Sequence, residues 1–172
     1  MQTASKKVIN GWAMYDWANS VYNLVITTTF FPAYYDFVTS TTKFPDGIRF
    51  LGRHYVNTEL KNYVLASGFL IIAFLSPILS SIADYKGNKK NFMRFFCYLG
   101  AVSCCLMYYF DAEHVNLGLM CFMFAGIGFY GSQVFYNSYL PDISAEKDMD
   151  RISAKGYSMG YIGSVIMQMI GF

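Results

Sequence analysis

Apolar residues in this chain gather into five long runs, at 12–35, 63–83, 92–110, 115–140 and 156–172, and the charged residues fall mainly between them. A helix rises ~1.5 Å per residue, so about 20 apolar residues cross a hydrocarbon core ~30 Å thick. Each run reaches or approaches that length. The pattern predicts an all-α, polytopic membrane protein with four full spans and a fifth that begins as the chain stops. Short connectors make successive helices antiparallel neighbours. The longest connector, 36–62, carries the turn signals Pro45, Asp46 and Gly47. Its 48–63 stretch is read as a short interfacial helix, with Arg49, Arg53 and Tyr55 near the headgroups. Pro77, inside the second run, removes an N–H and is expected to kink or loosen that helix.

Composition agrees with this reading. Charged residues are 14% of the chain, against about 25% in soluble domains. Hydrophobic residues make up 55% and aromatics 19%, too much apolar surface for a water-soluble globule. The net charge of +2 is no signal for nucleic acid, because the cations sit in short loops. Their placement sets an orientation. Lys6, Lys7, Lys86, Lys89, Lys90, Arg94, Lys147, Arg151 and Lys155 fall on one side, and Lys43, Arg49, Arg53 and Lys61 on the other. The richer side is cytoplasmic by the positive-inside rule, which puts the N-terminus inside. The first run is too long for a cleavable signal and contains Asp16, Asn19 and Asn23. Cys97, Cys104, Cys105 and Cys121 all fall within runs. They read as small hydrophobes, not as a disulfide framework or a metal site.

Polar residues inside the runs are the candidate chemistry. Asp16, Asn19, Ser20, Asn23 and Thr27 share one helical stripe of the first run, continued by Phe30 and Tyr34. Lipid satisfies no such stripe, so it must face other helices or a water-filled cavity. Asp16 is open to two readings: a group that handles a proton or solute, or a carboxylate at the headgroup interface among Trp12, Tyr15 and Trp17. The fourth run carries a second stripe, Phe122, Gly126, Phe129, Tyr130, Gln133, Tyr136 and Asn137. Two polar stripes at like depth imply a shared cavity lined by Asp16, Asn19, Asn23, Thr27, Gln133, Tyr136 and Asn137. Plain helix–helix hydrogen bonding, worth about 0.6 kcal/mol on average in membranes, is the alternative.

Gly156-x-x-x-Gly160 and Gly128-x-x-x-Ser132 have the spacing that lets helix backbones approach closely. The junction at 80–90 ends one helix at Asp84, turns at Gly87 and opens the next with Lys89 and Lys90. Either Asp84 latches one conformation through a cation or a helix start, or this is a plain turn with positive-inside lysines. The compact Asp111, Glu113 and His114 cluster lies in a short loop without a paired nucleophile. No enzyme or cofactor is expected from it.

The junction resembles the loop between the second and third helices of the major facilitator superfamily, G-x-L-A-D-R-x-G-R-K-K. Ala83, Asp84, Gly87, Lys89 and Lys90 match, while Ser80, Tyr85 and Asn88 depart. The resemblance implies that Asp84, Gly87, Lys89 and Lys90 form a cytoplasmic latch between helices. Gly126 and Gly128 are kept in the fourth run, without the arginine often seen there in proton-coupled members. Tyr15-Asp16-Trp17-Ala18-Asn19-Ser20, Phe135-Tyr136-Asn137-Ser138-Tyr139-Leu140-Pro141, Ser153-Ala154-Lys155-Gly156-Tyr157 and Gly160-Tyr161-Ile162-Gly163 are similar to the vacuole-effluxer-like, or "unknown major facilitator", branch.

That resemblance implies a twelve-helix carrier of which 1–172 is an incomplete N-terminal half-domain. Its partners would be the bilayer, a small polar solute such as an amino acid, and a missing C-terminal half or complementary chain. The expected location is the cell membrane, or alternatively a vacuolar membrane. The bare apolar end at Phe172 reads as the front portion of a longer chain. A truncated chain acting as a membrane interaction subunit is the competing reading.

Overall fold

The computed structural model describes residues 2–40 and 42–172, and the side chains of all of these except 83–86. Helix is the dominant structure. Among the described residues, three helical stretches, Asn57–Ile82, Lys89–Tyr109 and Val115–Ile143, are long and apolar enough to cross a membrane. The chain is an α-helical membrane protein. It folds as two compact units, one of residues 1–30 with 134–172 and one of residues 31–133.

The first unit contains α1 (Lys6–Val21), a π-helical segment (Tyr22–Phe30) and α7 (Glu146–Gly171), with the short α6 (Leu140–Ile143) leading into α7. Helix α7 lies along α1 because one face of it is stripped of side chains. Gly156, Gly160 and Gly163, with Ser164, are all buried on that face. Residues at i, i+4 and i+7 stack along one side of a helix. A β-carbon on Gly156 would come within 2.6 Å of the Trp12 ring, and one on Gly163 within 2.5 Å of the Trp17 carbonyl. The small-residue spacing read at 156–160 thus extends one turn further. At the polar end, the Thr3 hydroxyl donates to Asp148 at 2.6 Å, and Ala4 N–H donates to the Ile143 carbonyl at 2.9 Å.

The second unit holds α2 (Phe31–Val38), strands β1 (Ile48–Phe50) and β2 (Arg53–Tyr55), α3 (Asn57–Lys86), α4 (Lys89–Leu106) and most of α5 (Val115–Ser138). The interfacial helix expected over 48–63 is replaced by an antiparallel hairpin, paired Ile48 with Tyr55 and Phe50 with Arg53, and α3 starts at Asn57. Burial in β1 alternates, with Ile48 and Phe50 buried and Arg49 exposed. That is the period of a strand, which a helical reading of the loop passes over. Leu51 and Gly52 both have positive φ (47° and 83°), the geometry of a two-residue hairpin turn. At Gly47 (φ 85°) a β-carbon would strike the Tyr55 carbonyl at 2.5 Å, so only glycine suits the entry to β1.

Packing in this unit is aromatic and close. Phe31 stacks on Phe122 with ring centroids 3.7 Å apart, and Tyr35, fully buried, donates its hydroxyl to the Asn57 carbonyl at 2.8 Å. Gly128 brings the α5 backbone against α4: a β-carbon there would lie 2.6 Å from Gly100 Cα and 2.7 Å from the Phe96 carbonyl. Ser132, one turn on, is fully buried. Helix α3 ends at Gly87 (φ 64°), the left-handed conformation that terminates helices. Asp111 accepts the backbone N–H groups of Glu113 (2.9 Å) and His114 (2.8 Å), and its oxygen also lies 2.8 Å from His114 Nδ1. The acidic cluster therefore turns the chain into α5. His114 holds the Asp111 carboxyl below its ordinary range.

Candidate functional site

The polar groups singled out on the first and fourth runs fall largely within the first unit. Asp16 is 3% exposed. Its carboxylate accepts a hydrogen bond from the Ser20 hydroxyl, one turn on, at 3.0 Å. Gly160 of α7 closes over the pair: a β-carbon there would be 2.7 Å from Ser20 Oγ and 2.9 Å from Asp16 Oδ2. Protein encloses this carboxylate. A buried charge is costly unless its lone pairs are occupied, and such residues in membrane helices face the bundle interior.

The aromatic residues around Asp16 are used for packing. Trp12 stacks on Tyr136 (centroids 4.4 Å, 8° between planes), and Tyr15 stacks on the same ring at 5.1 Å. The Trp12 indole N–H donates to the Tyr136 carbonyl at 3.1 Å. Trp17 lies against Gly163. These contacts bind the end of α5 to α1.

Among the described residues of this unit, three polar atoms are buried without a hydrogen-bond partner: Asn19 Nδ2, Thr27 Oγ1 and Tyr136 Oη. Leaving such a group unpaired costs about 1–3 kcal/mol. Each can donate a proton, and all three lie in the unit that holds the Asp16 carboxylate. Asn23 and Asn137, by contrast, are exposed. Gln133 is half-buried and belongs to the second unit.

Of the junction residues, Asp84 has its side chain outside the described residues, Gly87 makes the turn, Lys89 is half-buried and Lys90 is exposed. The latch expected at this junction therefore falls partly outside the described residues.

Residues 22–30 form a π-helix, where the apolar run predicts an ordinary α-helix. The local signal was the β-branched run Val25, Ile26, Thr27, Thr28 and Thr29. Such residues are stiff and crowd an α-turn. The hydroxyls of Thr28 (2.6 Å) and Thr29 (2.8 Å) both donate to the Leu24 carbonyl, four and five residues back. Side-chain bonds of this kind compete with the backbone ladder, and π-turns occur frequently at functional sites.

Long apolar helices, with a glycine-faced helix pair and buried polar groups in one of the two units, define a polytopic helical membrane protein. A family described as vacuole effluxer Atg22 like matches residues 4–172, and the chain belongs to it. It is 40% identical over 157 residues to the uncharacterized MFS-type transporter YxiO of Bacillus subtilis, covering 91% of this chain and 35% of that protein. It is 24% identical over 161 residues to autophagy-related protein 22 of Pyricularia oryzae, covering 80% of this chain and 24% of that protein. The chain thus spans about a third or less of the length of these relatives. No solved structure matches it. The family resemblance carried by the motifs at 15–20, 135–141 and 153–163 is borne out.

Proposed function

We propose that this chain supplies the N-terminal part of a facilitator-type carrier, which moves a small polar solute across a membrane by alternating access. The observation that carries the reading is the set of buried, unpartnered donors, Asn19 Nδ2, Thr27 Oγ1 and Tyr136 Oη, in the unit that encloses Asp16. A solute bearing both a carboxylate and an ammonium would match a unit that carries unpaired donors as well as a carboxylate, which favours an amino acid. The naming of the bacterial relative as an MFS-type transporter supports the transport reading. Rocking between two half-domains would open these groups to one side of the membrane at a time.

Asn23 and Asn137 are exposed amides on helices of a membrane protein. In this reading both amides line the water-filled part of the pathway, because an exposed amide is hydrated at less cost than it is placed in lipid. The first helical stretch and α7 would cross the membrane with the other three, the N-terminus being cytoplasmic. Asp84, Gly87, Lys89 and Lys90 would latch the cytoplasmic side, in a cell membrane rather than a vacuolar one.

The test is solute uptake by the full-length protein in proteoliposomes. Asn23→Leu and Asn137→Leu should each lower uptake about tenfold or more while inserting normally. Unchanged uptake by a normally inserted variant would remove that residue from the pathway.

A further inference from the structure

A groove of about 750 Å³ runs along the second unit between α3 and α4, floored by α5. Ile71, Leu75, Leu79 and Ile82 form one wall, Phe92, Phe95 and Leu99 the other, and Phe124 and Ile127 the floor. Ile71 and Ile82 stand eleven residues apart on α3, about 16 Å of helix. That is close to half of a ~30 Å hydrocarbon core, one leaflet's depth. Both walls belong to helices apolar and long enough to span, and little of either helix is buried. Phe95, for example, is 60% exposed. The groove is therefore an apolar face that the described residues leave uncovered.

Its two ends differ. At the Ile71 end the lining is apolar, while at the Ile82 end it is completed by Asn88 and Asn91. That polar end is also cationic. Between 87 and 110 the sequence has Lys89, Lys90 and Arg94 and no acidic residue. Lys90 and Arg94 are exposed there. An occupant thus needs an apolar rod one leaflet long, joined to a hydrogen-bonding head that carries negative charge.

We propose that this groove is a binding site for an anionic phospholipid, with one acyl chain between α3 and α4 and the headgroup at Asn88 and Asn91 beside the cations of α4. The charge at the mouth selects the headgroup, and the groove's length selects the chain. A cation near a membrane surface contributes about a fivefold preference for anionic lipid.

The experiment is native mass spectrometry of the full chain released from nanodiscs of equal phosphatidylglycerol and phosphatidylcholine. The expected result is retained phosphatidylglycerol in preference to phosphatidylcholine. The double variant Lys90→Gln, Arg94→Gln should weaken that preference by about 25-fold. Filling the groove with Leu75→Trp and Leu99→Trp should abolish retention of both lipids. Equal retention of the two lipids by the parent chain would overturn the headgroup assignment. Independently of how those variants fold, a photoreactive phenylalanine analogue at Phe95 should form a lipid adduct. A protein adduct there, from a second copy or another segment, would show that the groove is a packing surface instead and would overturn the proposal.

Discussion

At the scale of single residues, the arrangement around Asp16 depends on what is missing from Gly160. Replacing Gly160 with Leu would force α1 and α7 apart at Asp16 and Ser20. The expected cost is about 1–3 kcal/mol, read from the midpoint of unfolding in mixed micelles. Gly11, on the same α1, has open space around its α-carbon. Gly11→Ala should be neutral or stabilise by up to about 1 kcal/mol, so equal effects at the two positions would contradict this packing. Asp148 gives a pH dependence. Its carboxyl is held below its ordinary value, chiefly by the Thr3 hydroxyl and also by Arg151 and Lys147. A depressed carboxylate pKa means that the tie contributes fully above the unfolded value of about 3.9, and that this contribution declines below it and is gone once pH has fallen through the lower folded value. Hydrogen-exchange protection of the Ala145 amide, which donates to Thr3 Oγ1 at 3.1 Å, should be lower at pH 3 than at pH 6. In Thr3→Val it should be low at both, and a pH-independent protection factor in the parent would rule the tie out. Residue types made Asp16, Asn19, Thr27 and Tyr136 legible in the sequence, because each is a polar group in an apolar run. Their partners were not legible. That Trp12 and Tyr15 stack on Tyr136 is a contact across more than a hundred residues, invisible to any local pattern.

At the scale of elements, the apolar runs foretold the helices at Asn57–Lys86, Lys89–Leu106 and Val115–Ser138, because length and hydrophobicity alone fix such elements. Two elements escaped. The π-helix at Tyr22–Phe30 arises from a run of β-branched residues whose hydroxyls reach back to Leu24, a local competition that counting at 3.6 residues per turn does not detect. Asn19, Asn23 and Thr27 were expected on one stripe. With π-turns intervening, Asn23 is exposed and Thr27 buried. The hairpin Ile48–Tyr55 escaped because each strand is only three residues, too short for its alternation to stand out. Its turn places Leu51 at φ 47°, with the residue 79% exposed. Left-handed geometry costs an L-residue about 1–2 kcal/mol, and asparagine tolerates it better. Leu51→Asn should therefore raise stability by about 1 kcal/mol in the same unfolding measurement. A loss of stability would mean that the Leu51 side chain makes contacts beyond those of the hairpin.

At the scale of the whole molecule, an α-helical membrane architecture and membership of the vacuole effluxer Atg22 like family were both legible, one from hydrophobic periodicity and the other from ordered motifs along the chain. What the molecule does was legible only as polar residues in apolar helices. The structure adds that Asn19, Thr27 and Tyr136 each carry a buried polar atom without a hydrogen-bond partner. The proposed transport cycle makes a demand that a static packing role does not: the same amides must be reachable from both faces of the membrane. Cysteine placed at Asn23 or Asn137 of the full-length protein, with native cysteines replaced, reads this directly through impermeant thiol reagents applied to one face at a time. Alternating access predicts labelling of each position from either face, with solute slowing both rates. Labelling of both positions from neither face, or from one face only and unaffected by solute, would contradict the account.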